Sequence, residues 1–157
     1  MKHASDALIS QKGVDDPKIR FFNICKEEHA IAIPVLARIE KKVLNLIGYK
    51  MNLGLCHAVG QAFRLANDVI EKLLFESTGM DDPMFAAILE GLSDQSNFKS
   101  VTYKKNSFEN LEEPLSHLTV SALIKLAKRP VPYNLDEIRI IDCKISPAAV
   151  QFFLEEI

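Results

Sequence analysis

The sequence predicts an α/β fold, a solenoid in which short strand-and-helix units stack side by side, and three observations carry that expectation. Apolar residues at alternate positions recur four times, as Leu44-Asn45-Leu46, Leu73-Leu74-Phe75, Val101-Thr102-Tyr103 and Ile138-Arg139-Ile140. Each pair is followed five residues later by another apolar residue: Met51, Met80, Phe108 and Ile145. Helix-start signals then recur near one position of the repeat. The offsets between successive units are 29, 28 and 37 residues.

Alternate apolar residues turn one face of a strand inward. The apolar residue five places on folds the chain back over the same core. A helix must then cover the layer, because one such unit cannot bury its own apolar face and has to stack on a neighbour.

Taken in order, residues 1–15 are polar and irregular and read as a flexible N-terminus. Residues 16–40 read as a helical cap. Asp16-Pro17 is an N-cap with a first-turn proline, and Ile19, Phe22 and Cys25 follow at helical spacing. Pro34 opens a second short stretch, Val35 to Lys41. Four units follow, at 41–69, 70–97, 98–134 and 135–157. Ile70, Phe98 and Leu135 precede the strands by three residues, a rule that Lys41 breaks in the first unit. Asp82-Pro83 and Ser146-Pro147 mark helix starts, and Asn110-x-x-Glu113 resembles a capping box in the third unit. The expected helix faces are Leu55, Val59 and Phe63; Phe85, Ile88, Leu89 and Leu92; Leu111, Leu115 and Leu118; and Val150, Phe153 and Leu154. The extra length of the third unit is placed after Leu118. There Ser121 to Arg129 reads as an extended or second helix stopped by Pro130 and Pro132.

The segments Phe98 to Phe108 and Leu135 to Ile145 follow the pattern L-x-x-L-x-L-x-x-N/C/T-x-L, and the chain resembles the ribonuclease-inhibitor-like leucine-rich repeats over about residues 41–157. The resemblance implies a right-handed horseshoe with a parallel sheet on the concave face and helices on the convex face. It also implies that Thr78, Asn106 and Cys143 form a hydrogen-bonded ladder along the turns, with Tyr49 departing from the allowed types. The N-terminal segment is similar to that of leucine-rich-repeat proteins associated with cilia and testis.

Composition narrows the function. The chain has 157 residues and is 48% hydrophobic and 25% charged, with a net charge of −2, so it lacks the surplus of Lys and Arg that phosphate contacts need. Three dispersed cysteines, Cys25, Cys56 and Cys143, read as reduced thiols rather than as disulfides or a zinc site. No secretory leader is evident, and the longest apolar run, Ala30 to Ala37, is far short of the ~20 residues of a membrane helix. The expected compartment is the cytoplasm, with a cytoskeletal or ciliary association from the second resemblance.

Catalytic and phosphate-binding signatures are missing, and neither a cofactor nor a metal site is expected. His29, His57 and His117 read as isolated structural or surface residues. Asp82 reads as an N-cap rather than a calcium ligand, and Cys143 as a ladder residue rather than a reactive thiol.

The remaining candidate is the strand face directed away from the core. The alternation places Val43, Asn45 and Ile47, then Lys72, Leu74 and Glu76, then Ser100, Thr102 and Lys104, then Glu137, Arg139 and Ile141 on it. Exposed Ile47, Leu74 and Ile141 among charges of both signs favour a protein partner over nucleic acid, membrane or sugar; the alternative is a merely solvated face. The expected role is a non-enzymatic protein-interaction scaffold. The alternatives are a GTPase-activating or regulatory protein of the leucine-rich-repeat type, or a fragment of a longer array. The chain stops at Ile157 with Phe152, Phe153 and Leu154 in its last turns, which adds the expectation of self-association through this end or of a continuation.

Overall fold

A computed structural model describes residues 16–30, 35–65, 69–104 and 114–157. The expected flexible N-terminus at 1–15, together with Asn106, Phe108, Asn110, Leu111 and Glu113, lies outside the described residues. In chain order the elements are α1 (Pro17–Glu27), a 3-10 turn (Val35–Arg38), β1 (Ile39–Glu40), β2 (Val43–Ile47), α2 (Leu53–Arg64) and β3 (Lys72–Glu76). There follow α3 (Asp82–Gly91) with a 3-10 extension (Leu92–Asp94), β4 (Ser100–Lys104), α4 (His117–Ala127), β5 (Glu137–Ile141) and α5 (Pro147–Glu156).

The five strands form one open sheet in sequence order. The strands β2 to β5 are parallel, and their register is the repeat itself. Leu44 pairs with Leu73, Leu73 with Val101, and Val101 with Ile138. The sheet is mixed rather than wholly parallel, because β1 runs antiparallel to β2. Their connection, Lys41-Lys42, has φ of +50° and +62°, positive at both residues as in the tight turns whose twist suits a hairpin. Lys41 therefore breaks the apolar rule because it occupies a turn.

One face of the sheet is closed. Leu44, Leu46, Leu73, Phe75, Val101 and Tyr103 are all buried, and they share one core with Leu55, Val59, Phe63, Phe85, Ile88 and Leu89 from the helices. The Phe85 and Tyr103 rings stack at 4.7 Å, and the buried Tyr103 hydroxyl donates to Met80 O at 3.1 Å, satisfying a group that would otherwise be costly to bury.

The helices α2 and α3 come together through glycines. A Cβ on Gly91 would lie 2.0 Å from Gly60 O, and one on Gly60 would lie 2.3 Å from Ala87 O. Only the missing side chains allow this backbone approach.

Helix starts follow local chemistry with one exchange of roles. Asp16 accepts from Lys18 N, Asn52 from Leu55 N, and Ser146 from Ala149 N. In α3 the N-cap is Asp81, which accepts from Met84 N at 3.1 Å, so Asp82 is not the cap expected from Asp82-Pro83. The Asp82 carboxylate instead crosses to the next helix. There it accepts from Ser116 N at 2.8 Å, Thr119 N at 2.9 Å and Leu118 N at 3.1 Å. Ser116 itself makes no side-chain cap bond. Burial alone would raise the Asp82 pKa, but the bonds from Thr119, Ser116 and Leu118 outweigh it and hold the carboxyl below its usual value.

Several expected faces and boundaries are corrected. Among the described residues the third unit's helix runs unbroken from His117 to Ala127. The connector from β4 to α4 covers residues 105–116, against five residues at 48–52, 77–81 and 142–146, so the extra length precedes the helix rather than follows Leu118. Leu115 bridges to Ile145 ahead of that helix. Leu118 is exposed, as are Ile19 and Phe22, whereas Phe21, Ile24 and Cys25 form the inward face of α1. In α5 Ala149 is buried, while Val150 and Leu154 are exposed and Phe153 is half-buried. Helical spacing admits more than one face, and the neighbour that covers an element selects it.

Two stability predictions follow from these contacts. Gly91→Ala should cost about 1–3 kcal/mol in urea denaturation, by forcing α2 and α3 apart. Asp82→Ala should cost about 1–2 kcal/mol at neutral pH. The folded-state pKa of Asp82 is depressed, so its contribution is complete above the unfolded carboxyl pKa of ~3.9 and is lost as pH falls through the folded value. Urea midpoints of Asp82→Ala should therefore fall less steeply on acidification than those of the wild type.

Candidate functional site

Because the even-numbered strand residues of β2 and the odd-numbered ones of β3 and β4 fill the core, their neighbours must stand on the other face. The register arranges that face in three cross-strand rows. The first is Val43, Lys72, Ser100 and Glu137; the second is Asn45, Leu74, Thr102 and Arg139; the third is Ile47, Glu76, Lys104 and Ile141. All the candidate residues Asn45, Ile47, Lys72, Leu74, Glu76, Thr102, Lys104, Arg139 and Ile141 therefore share one surface.

The third row has a charged centre and apolar ends. Lys104 Nζ lies 3.7 Å from Glu76 Oε1 across β3 and β4. Ile47 and Ile141 flank that pair, 61% and 38% exposed. Within β5, Arg139 Nε lies 3.3 Å from Glu137 Oε1. Leu74 and Thr102, at the middle of the face, are half-buried between these rows. The surface can thus offer apolar contact and charges of both signs, and its charged groups are partly tied to one another.

At the β1–β2 edge the face deepens into an open trough of about 590 Å³ lined by Arg38, Glu40, Lys41, Asn45, Ile47 and Tyr49 among others. Arg38 Nε donates to Tyr49 Oη at 2.7 Å, and its guanidinium stands 4.9 Å from the Tyr49 ring centre. Arg38 and Tyr49 are absent from the sequence-based candidates because both depend on the hairpin. The signal for it is present: Ile39 and the strand at Val43 are separated by the polar pair Lys41-Lys42.

The turn positions differ among themselves. Cys143 is half-buried, and its thiol donates to Ile141 O at 3.1 Å, with Tyr103 O at 3.8 Å. Thr78 is fully buried, yet its hydroxyl finds no hydrogen-bond partner among the described residues; its carbonyl accepts from Met51 N. Asn106 lies outside the described residues.

The other chemically reactive groups are placed as follows. Burial pushes the Cys25 thiol up, and burial followed by the Asp81 charge pushes Cys56 up, which disfavours the nucleophilic thiolate. His57, expected to stand alone, faces Glu28 with Nδ1 3.3 Å from Oε1. Among the described residues no three His, Cys, Asp or Glu side chains converge to hold a metal ion. No helix among them is long and apolar enough to cross a membrane.

Compared with protein-family models, curated proteins and solved structures, the chain finds no match in any of the three.

The partly exposed Glu76–Lys104 pair predicts a small energetic role. A double-mutant cycle of Glu76→Gln and Lys104→Met in urea denaturation should return a coupling of about 0.2–1 kcal/mol, shrinking with added salt.

Proposed function

We propose that this chain is a short leucine-rich-repeat solenoid whose uncovered sheet face binds a partner protein, acting as a scaffold rather than through chemistry of its own. The observation that carries this reading is the third row of the face. Two isoleucines stand out toward solvent on either side of an ion pair, on a surface that no described element covers. Isolated exposed apolar residues are common. Ile47 and Ile141, in contrast, are aligned by register with each other and next to half-buried Leu74, so an opposing surface can meet them together while pairing with Lys72 and Arg139.

The repeat reading is supported by the strand register, whose offsets equal the sequence repeat, and by a helix after each parallel strand. It is also supported by the Cys143 thiol bonding to backbone carbonyls at the turn. The shared surface is small, four parallel strands wide, which suits a compact domain or an extended segment as partner.

The test is proximity labelling in the native cell with wild type, with Thr102→Arg on the face, and with Leu118→Arg on the exposed side of α4. Hot spots cluster near an interface centre and cost ~2 kcal/mol or more when lost, and a bulky charge placed there keeps the partner from closing on them. Thr102→Arg should therefore reduce labelling of true partners by about tenfold or more, while Leu118→Arg leaves it unchanged. Equal labelling by all three proteins overturns the proposal.

A further inference from the structure

The sheet has two unlike edges. At one, β1 is two residues long, antiparallel, and bounded by Lys41 and Lys42, a short and charged edge of the kind that resists further pairing. At the other, β5 is five residues long, and no described residue pairs with its outer side. Its core-facing Ile138 and Ile140 are only half-buried, unlike the fully buried pairs of β2, β3 and β4. With Val120, Leu123, Ile145 and Phe153 they line an apolar cavity of about 210 Å³.

The backbone of β5 specifies what fits. Glu137 N donates to Lys99 O, so Glu137, Arg139 and Ile141 direct their peptide groups toward β4, and Ile138 and Ile140 direct theirs outward. Lys42 O, Glu71 O and Lys99 O each accept two N–H groups from the following strand. By the same step, Asp136 O is the outward acceptor at β5.

From this edge we infer that the chain forms a twofold dimer by antiparallel pairing of β5 with β5 of a second copy, with Ile138 opposite itself. The partner is set by three requirements. A head-to-tail array would need the edge that β1 obstructs, which leaves a self-complementary contact. Outward hydrogen bonds then allow registers that oppose Ile138 to Ile138, Ile138 to Ile140, or Ile140 to Ile140. The second sets Arg139 against Arg139, and the third gives neither charge an opposite partner. The first places Glu137 opposite Arg139 of the second copy twice, in non-hydrogen-bonded pairs where side chains come closest. It also forms four backbone bonds: Ile138 N–H to Ile138 O and Ile140 N–H to Asp136 O, each in both directions.

The helix layer agrees with that axis. Leu135 N donates to Leu126 O, which sets the end of α4 level with the start of β5. The Lys128–Glu156 pair at 3.3 Å brings the end of α5 to the end of α4. Leu154 and Ile157, at the end of α5 and 70% and 67% exposed, are in the dimer the apolar side chains of the helix layer that would be covered by the second copy.

Sedimentation equilibrium of the full chain, from low to hundreds of micromolar, tests the dimer. The wild type should show a reversible monomer–dimer equilibrium. Glu137→Arg and Arg139→Glu should each weaken it about tenfold or more, because each sets like charges opposite one another twice. The double variant Glu137→Arg with Arg139→Glu restores both cross-strand pairs and should return the affinity to within about threefold of wild type. Both side chains are exposed, so the variants keep the fold. A strict monomer at every concentration, assembly beyond a dimer, or a double variant no better than the single ones overturns the inference.

Discussion

The burial of one face of each parallel strand is the constraint on which the rest of this structure depends. Leu44 and Leu46, Leu73 and Phe75, and Val101 and Tyr103 lie under the helices with 1% exposure or less. A two-residue alternation cannot serve two covered faces with so many polar residues between. The helices are therefore confined to one layer, and the opposite face is left to Asn45, Lys72, Thr102 and Arg139. The same burial sets the register, because a slip of one residue would exchange the two faces.

Polar groups lock successive strand–helix segments to one another at their ends. The Gln95 side chain accepts from Val69 N at 2.8 Å and donates to Phe63 O at 2.7 Å, reaching back one unit. One unit later Arg129 donates to Ser93 O, Gln95 O and Phe98 O. Asp82 does the same at the other end of the helices, capping α4 from α3. Each lock satisfies backbone groups that a helix end or a buried loop leaves unpaired. Stability is thus shared between neighbours rather than held inside a unit, and β5, which among the described residues is paired on one side only, is the least buried of the parallel strands.

That gradient links the open sheet face and the β5 edge. The open face is polar-apolar because the core has claimed the alternate residues. The β5 edge is apolar because its strand carries the same pattern as its neighbours and no described element covers its outer side. Arg139 and Glu137 belong to both, standing on the open face and at its outermost strand.

The positions, order and inward residues of the four parallel strands were legible in the sequence, because a period of two recurring at spacings of 29, 28 and 37 residues leaves few ways to bury Leu, Val and Phe side by side. The candidate face followed from the same alternation. The β1 hairpin, the trough with Arg38 and Tyr49, the start of α4 at Ser116 and the capping of α4 by Asp82 were decided by the tertiary structure. A cap works through whichever carboxylate reaches the free N–H groups, and Asp81 and Asp82 are equivalent until α4 is packed beside α3. Likewise the inward face of α1 was settled by its neighbour α2, since Phe21 and Phe22 are equally apolar. What local periodicity repeats can be read from the chain; what depends on one unit touching the next exists only once they are packed.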